Sequence, residues 1–180
     1  MLTLIHRLRG DEALMQAYQR GDASAFETLY HRHKDGLFAF IYRSCPRREA
    51  AKELAQETWT AVIDKASTYQ PEAAFKTWLY QIARNRIGDY WRRRDNHHQP
   101  LEQAPEPVNC AAGDDRESLE NQLMAAIGQL PIDQRDALLL QQQGFSQQDI
   151  AAITGAGEET IKSRLRYARR QLRAQLGEPA

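Results

Sequence analysis

The sequence predicts an all-α protein: two small helical domains joined by a flexible acidic linker, the C-terminal one a helix-turn-helix. Three observations support this fold class. Nearly every segment places apolar residues at 3.6-residue intervals, no stretch alternates like a strand, and one proline-rich stretch lacks periodicity. The expected boundaries are residues 1–95 for the first domain, 96–118 for the linker and 119–180 for the second domain.

The first domain is expected to begin with three helices. A short helix near residues 11–20 ends at Gly21, and Asp22 can cap the longer helix that follows. Pro46 marks the break before a third helix at about residues 48–66. The side of that third helix opposite its apolar face presents Glu49, Glu53, Gln56 and Glu57.

The fourth helix, at residues 75–94, carries aromatic and arginine side chains together. One apolar face contains Phe75, Trp78, Leu79, Ile82, Ala83 and Tyr90, and a second stripe contains Tyr80, Arg84, Ile87 and Trp91. A helix needs only one apolar face to pack, so we expect the second stripe to be exposed. Exposed rings stack on unpaired bases, and neighbouring arginines neutralise phosphates. The alternative interpretation is a wide core face with a solvated basic end.

Charge is sorted along the chain, although the formal net charge is zero with 24 basic and 24 acidic residues. Residues 84–94 hold five arginines, and residues 162–173 hold six basic side chains. Between them, residues 95–118 hold six acids against Arg116 alone, together with three prolines. Two cationic segments on either side of an acidic linker indicate two separate contacts with nucleic acid.

The second domain is expected to end in a pair of helices joined by a glycine turn. Its first helix carries Leu119 to Leu130, and Pro131 starts another that Gly144 closes. Ser146 and Asp149 then fit a capping box, ahead of the turn at 154–157 and a last helix to about residue 175. That last helix has an apolar seam and a basic side, so the pair predicts a DNA-binding helix-turn-helix. The seam consists of Ile161, Leu165, Ala168 and Leu172.

Cysteine spacing and hydropathy argue against several classes of protein. Cys45 and Cys110 form no C-x-x-C pair, so neither a disulfide framework nor a zinc site is supported. The N-terminal segment is interrupted by charge too early for a signal peptide, and the longest apolar run, at 37–42, is too short to cross a bilayer. We therefore expect a cytoplasmic protein with no membrane insertion, no metal and no cofactor.

Several separate motifs resemble the extracytoplasmic-function (ECF) sigma factors of bacterial RNA polymerase. The run from Phe75 to Arg86, with Leu54-Ala-Gln-Glu-Thr-Trp59 upstream, resembles region 2 of that family. The run from Thr160 to Leu165, with Leu130-Pro131 at the domain entry, resembles region 4. The resemblance covers about residues 12–94 and 119–174. Two places depart from the family pattern: Ala50-Ala-Lys52-Glu53 replaces an acidic cluster, and Gly157-Glu-Glu159 replaces a Pro-x-Gly.

The resemblance implies a promoter-specificity subunit without catalytic chemistry, whose partners are core RNA polymerase, promoter DNA and an anti-sigma factor. It places the core-polymerase contact at Glu53, Leu54, Gln56 and Glu57. It places minus-ten DNA contacts at Tyr80, Arg84, Asn85, Asp89, Trp91, Arg92, Arg93 and Arg94, beside a base-capturing loop at 69–74. It places minus-thirty-five contacts at Glu158, Glu159, Thr160, Lys162, Ser163, Arg164 and Arg166.

Two rival functions are compatible with parts of the sequence. A helix-turn-helix regulator that binds duplex DNA without the polymerase core explains the second domain, but not the exposed aromatic residues expected at 80 and 91. A helical metalloenzyme would need ligands from His31, His33, Asp35, His97 and His98. Since His31 and His33 lie two residues apart on a helix, their side chains diverge, which argues against a shared metal.

Overall fold

The computed structural model describes residues 8–96 and 115–177, without the side chains of 95, 96 and 115–120. All of the regular secondary structure in the described part of the chain is helical, as predicted. The helices are α1 (Asp11–Gln19), α2 (Ala23–Ser44), α3 (Arg48–Asp64), α4 (Phe75–Asn96), α5 (Asp115–Gly128), α6 (Ile132–Gln142), α7 (Gln147–Thr154) and α8 (Glu158–Leu176), and a 3₁₀ turn spans Ala66–Thr68.

Local capping signals fix several helix ends where the sequence predicts them. The Asp22 carboxylate accepts a hydrogen bond from the Ser24 backbone N–H at 3.1 Å, which caps α2. Ser146 and Asp149 form both hydrogen bonds of a capping box at the start of α7. Gly155, with φ of 68°, turns the chain between α7 and α8 in a left-handed conformation that favours glycine. These caps set the geometry of the predicted helix-turn-helix.

The first domain packs α1, α3 and α4 around α2, the longest of its first three helices. Leu29, Leu37 and Phe40 of α2 are fully buried, and Leu79 of α4 lies in the same core. Helix α3 ends at Asp64, two residues earlier than expected, and the chain continues as the 3₁₀ turn. This tighter turn brings the chain to the 69–74 loop that precedes α4.

The second domain packs α5, α6 and α7 against α8. Ile161, Leu165 and Ala168 of the expected apolar seam are buried, and Leu172 is partly buried against the same core. The seam is therefore confirmed as the packing face of α8, which leaves its basic side facing outward.

The segment between the domains is only partly described. Helix α4 continues to Asn96, and α5 begins at Asp115, so the last four positions of the range expected for the linker are helical. Residues 97–114, on which the expectation of an acidic linker mainly rests, lie outside the described part of the chain.

The two domains pack against each other. Helix α7 lies on α4, and α5 and α6 lie on α2. The buried apolar residues of both domains form one continuous cluster, which includes Tyr80 and Ile87 of α4 and Phe145 at the turn before α7. The second domain therefore covers part of the α4 surface that the sequence predicts to be exposed.

Candidate nucleic-acid interface

Tyr80 is buried between the two domains. Its side chain is 1% exposed, and its ring packs 5.2 Å from the Phe40 ring and 4.8 Å from the Phe145 ring, measured between centroids. The Tyr80 hydroxyl donates a hydrogen bond to the Gln143 side-chain oxygen at 3.1 Å. Burial raises the pKa of this hydroxyl, so it stays protonated as a donor. The expectation that Tyr80 is exposed is wrong here, because α7 and the preceding turn cover the second stripe of α4.

Arg84 forms ion pairs across the same boundary. Its Nε atom donates to Asp136 Oδ2 at 3.0 Å, and one terminal nitrogen lies 3.6 Å from Asp133 Oδ1. The Asp136 side chain is only 6% exposed, and its burial raises its pKa despite the opposing charge of Arg84. A guanidinium expected to hold DNA phosphate is thus engaged by carboxylates of the second domain.

Lys76 contacts the end of α6 in two ways. Its ammonium donates to the Gln143 carbonyl oxygen at 2.6 Å and lies 4.5 Å from the centroid of the Phe145 ring. Gln143 caps the C-terminus of α6, where unsatisfied carbonyls attract cations. Gln143 therefore binds α4 through both its backbone and its side chain.

The C-terminal half of α4 keeps a basic, accessible surface. Asn85, Arg92 and Arg93 are exposed. Arg92 donates to the Asp89 carboxylate, and Arg93 donates to the Asp89 carbonyl at 3.4 Å. Such exposed pairs within one helix are weak enough to exchange for phosphates. This part of the expected minus-ten surface is open in the structure.

Trp91 and Arg94 lie near the end of that surface and are partly buried. The Arg94 guanidinium lies 5.8 Å from the Trp91 ring centroid and donates to the Tyr90 hydroxyl at 3.0 Å. The indole N–H of Trp91 is buried and finds no acceptor among the described residues. The expectation of a fully exposed Trp91 is therefore wrong, since its ring packs against the core.

Helix α8 presents a mixed surface at its N-terminal half. Glu158, Glu159, Thr160, Lys162 and Arg166 are exposed, whereas Ser163 and Arg164 are partly buried. Arg164 donates to Asp133 Oδ2 at 2.6 Å. Lys162 pairs with Glu159 one turn earlier. The Arg166 guanidinium lies 5.2 Å from the centroid of the exposed Tyr167 ring.

The outer side of α3 forms an open acidic groove. Glu53, Gln56 and Glu57 are exposed and line it together with Asp64 and Arg86. Leu54, which the resemblance places at the polymerase contact, is 3% exposed and belongs to the core. Arg86, which belongs to α4, lines this groove beside the acidic side chains of α3.

The interdomain partners Asp133, Asp136, Gln143 and Phe145 were not foreseen from the sequence. One signal was present: Asp136 precedes four consecutive apolar residues on α6, an unusual place for a carboxylate unless a cation approaches it.

Within the described residues, no group of three or more His, Cys, Asp or Glu side chains is arranged to hold a metal ion. His33 instead pairs with Asp11 at 2.7 Å. None of the described helices is both long and apolar enough to span a bilayer.

Comparison with known proteins gives a family match for each of the two domains. Residues 29–97 match the family model of sigma-70 region 2, and residues 120–172 match that of sigma-70 region 4. RNA polymerase sigma factor CarQ of Myxococcus xanthus is 31% identical, over 91% of this chain and 96% of its own length. ECF RNA polymerase sigma factor SigM of Mycobacterium tuberculosis is also 31% identical, over 94% of this chain and 86% of its own length.

A solved structure has the same fold. The sigma factor RpoE from Bartonella quintana, in complex with the anti-sigma factor NepR, aligns with a TM-score of 0.71 and 29% identity, covering 84% of this chain and 96% of that one. The two family matches and the shared fold define a transcription initiation factor with a region 2 and a region 4 domain. The chain belongs to the ECF family of RNA polymerase sigma factors. It binds core RNA polymerase and directs promoter-specific transcription initiation.

Proposed function

We propose that the two domains divide promoter recognition between them. Residues 1–95 bind core polymerase and capture the melted minus-ten strand, 96–118 connect the domains, and 119–180 bind the minus-thirty-five duplex. The support is the separation of two basic surfaces, on α4 and α8, each within its own family match. The protein acts in the cytoplasm and performs no catalytic step of its own.

The minus-ten contact uses the C-terminal half of α4. Asn85 is exposed and can hydrogen-bond a base edge, while Arg92 to Arg94 hold phosphates and Asp89 orients Arg92. Tyr80 and Arg84 join this surface only after the second domain has moved away from α4. Strand capture therefore requires the domains to separate, and binding to core polymerase must offset the lost interdomain contacts.

The minus-thirty-five contact uses the exposed start of α8 in the major groove. Glu158 and Glu159 are placed to accept from cytosine, with Thr160 and Ser163 beside them. Lys162 and Arg166 hold phosphates. Arg164 reaches a guanine only after it leaves Asp133, its partner at 2.6 Å.

The connecting segment has about the length that two separated contacts require. Between Asn96, where α4 ends, and Asp115, where α5 begins, the chain spans about 65 Å when fully extended. Two promoter elements about two DNA turns apart are separated by about 70 Å. The segment is then held nearly straight, in a polymerase channel that suits an acidic chain.

The polymerase contact uses the exposed acidic side of α3. Glu53, Gln56 and Glu57 dock on the coiled coil of the largest polymerase subunit, and Leu54 holds the helix in place from the core side. An anti-sigma factor regulates the protein by masking one or both domains. The support is that the similar RpoE was solved in complex with the anti-sigma factor NepR.

Reconstituted transcription tests these roles of the two domains. Core polymerase is mixed with the protein, genomic fragments that support run-off transcription are selected, and strand opening is followed by permanganate footprinting. Asn85→Ala should preserve core affinity and reduce opening, whereas Gln81→Ala, at another exposed position of α4, should leave opening unchanged. Equal opening with both variants would contradict the minus-ten assignment. Sequence-specific duplex binding without any transcription would favour the rival helix-turn-helix regulator.

A further inference from the structure

Helix α1 holds both ends of the 69–74 loop. This helix, Asp11–Gln19, precedes the segment that matches sigma-70 region 2, which begins at residue 29. The Gln19 side-chain amide donates to the Ala66 and Tyr69 carbonyl oxygens, at 2.8 Å each. The Glu12 carboxylate accepts from the Phe75 backbone N–H at 3.0 Å. These hydrogen bonds join positions 47 to 63 residues apart in the sequence.

The bonded groups lie where the loop begins and where it ends. Tyr69 follows the 3₁₀ turn, and Phe75 opens α4. The Phe75 N–H is one of the first four of α4, which have no partner within the helix. A carboxylate suits this position because the N-terminus of a helix is electropositive. Glu12 and Gln19 thus fix the entry and the exit of the loop relative to one rigid helix.

The loop between these anchors is exposed but internally braced. Residues 70–74 are all exposed, whereas Tyr69 is 4% exposed and its ring lies 5.0 Å from the Trp78 ring. The Tyr69 hydroxyl donates to the Ala73 carbonyl at 3.0 Å. Burial and the charges of Glu12 and Asp11 raise its pKa to about 12, so it remains a donor. An accessible loop with a fixed backbone is suited to receiving a flat ligand.

Helix α1 is itself firmly attached to the first domain. Leu14 and Met15 are fully buried in the core. Asp11 binds Arg32 and His33 of α2 at 2.7 Å each. The anchors Glu12 and Gln19 therefore extend from a helix that has little freedom to move, so their positions are transmitted to the loop.

We propose that Glu12 and Gln19 are positioning residues that preorganise the 69–74 loop to receive an unpaired base of the minus-ten strand. This inference rests on the proposed role of the loop in strand capture. A loop already held in its binding conformation loses less conformational entropy when the base enters. Without either anchor, the loop samples other conformations, and base capture loses both affinity and discrimination between bases.

The test uses full-length protein in the polymerase holoenzyme on a promoter fragment that supports run-off transcription. Glu12→Ala and Gln19→Ala should each reduce strand opening roughly tenfold, the effect of losing a hydrogen bond at a preorganised site. They should also reduce discrimination between bases at the captured position of a pre-melted template. Glu12→Gln, which keeps an acceptor oxygen, should restore most of the opening. Core affinity and the unfolding midpoint should change little with Gln19→Ala, since this side chain is largely at the surface.

Two outcomes would overturn the proposal. One is unchanged opening and base discrimination with both alanine variants. The other is a loss of core affinity in proportion to the loss of opening, which a general structural role would produce. Replacing Gln70 and Glu72 within the loop by alanine tests the role of the loop separately. If these loop substitutions leave opening unchanged, strand capture by the loop fails; if they reduce opening while the anchor variants do not, only the positioning role fails.

Discussion

Arg84 and Asp136 form an ion pair between the two domains, with 3.0 Å between Arg84 Nε and Asp136 Oδ2. The carboxylate is 6% exposed and the guanidinium 24% exposed. Since Asp136 has lost most of its hydration, Arg84 is its main compensation within the described residues. The same arginine is a proposed phosphate contact. The packing of the two domains against each other and the binding of DNA therefore compete for the Arg84 side chain.

Removing Arg84 should favour separation of the two domains. Arg84→Ala leaves Asp136 buried beside Asp133 without this cation, which destabilises the interface by about 3 kcal/mol. Small-angle scattering should report a larger radius of gyration for the free protein. The double variant with Asp136→Asn should return toward the compact value, because the buried carboxylate that Arg84 compensates is then absent. Arg92→Ala, at an exposed arginine of the same helix, is the matched control and should leave the radius unchanged.

Adding a methyl group at Gly36 should loosen the interface while favouring α2 as a helix. A Cβ at this position would lie 3.2 Å from the Gln143 side-chain oxygen and 3.3 Å from the Tyr80 hydroxyl. Alanine is a better helix former than glycine by about 1 kcal/mol, but the Tyr80–Gln143 hydrogen bond must shift. Hydrogen exchange of α7 amides should therefore accelerate. Gly88→Ala, where a Cβ would meet no described atom outside its own helix within 4 Å, should leave α7 exchange unchanged; slow α7 exchange in both variants would contradict the expectation.

Reversing charge at Glu57 should weaken polymerase binding. This side chain is exposed on the acidic groove of α3, so Glu57→Lys should not affect folding. We expect roughly a tenfold loss of core affinity, or about 1.4 kcal/mol, from the reversed charge at the proposed contact surface. Titration of labelled core polymerase with the wild-type protein and the variant measures this loss of affinity. Glu27→Lys, at an exposed carboxylate of α2, should bind core normally; equal losses would indicate a non-specific charge effect.

Arg166 should contribute to the salt dependence of promoter binding. It is exposed on α8 and faces outward beside Tyr167. If it holds one phosphate, Arg166→Ala should reduce the slope of log affinity against log salt by about 1. Holoenzyme binding to a promoter fragment at several salt concentrations measures the slope. Arg48→Ala, at an exposed arginine at the start of α3, should leave the slope unchanged, and no difference between the two variants would remove Arg166 from the contact.

Asp11 should make the first domain sensitive to acid. Burial opposes its charge, but hydrogen bonds and charges from His33 and Arg32 outweigh burial and lower its pKa. The stability that the Asp11 carboxylate contributes to the folded domain is therefore complete above the ordinary carboxyl pKa of about 4. It is lost as the pH falls through the lower pKa of Asp11 in the folded state. Asp11→Asn should reduce the free energy of unfolding at pH 7 by about 0.5 kcal/mol after allowance for solvent screening, with a shallower decline below pH 4. Urea unfolding at several pH values tests this, with Asp64→Asn, an exposed carboxylate of α3, as control.

The features predicted well are those with local causes. The caps at Asp22 and Ser146 depend on side chains two or three residues from the groups they bind, so the sequence displays them directly. The seam of α8 follows from periodicity alone. The open position of Asn85 was likewise consistent with its place outside the apolar faces of α4.

The features missed depend on partners distant in the sequence. The second stripe of α4 requires a partner, but periodicity does not say whether that partner is DNA or the second domain, and in the free protein it is Phe145 with the end of α6. Likewise, nothing in the spacing of Glu12 or Gln19 indicates hydrogen bonds to a loop about 50 or more residues away. Such contacts emerge only from the assembled fold.

The described contacts between the domains join residues outside the connecting segment. Lys76, Tyr80 and Arg84 lie on α4, and their partners lie on α6 or at its end, so each surface is complete within its own domain. Severing the chain between residues 97 and 114 should therefore yield two fragments that reassociate into a heterodimer. In the intact protein, the connection then acts by raising the effective concentration of one surface for the other. Lengthening this segment would tune how readily the sigma factor opens, without altering any contacting residue.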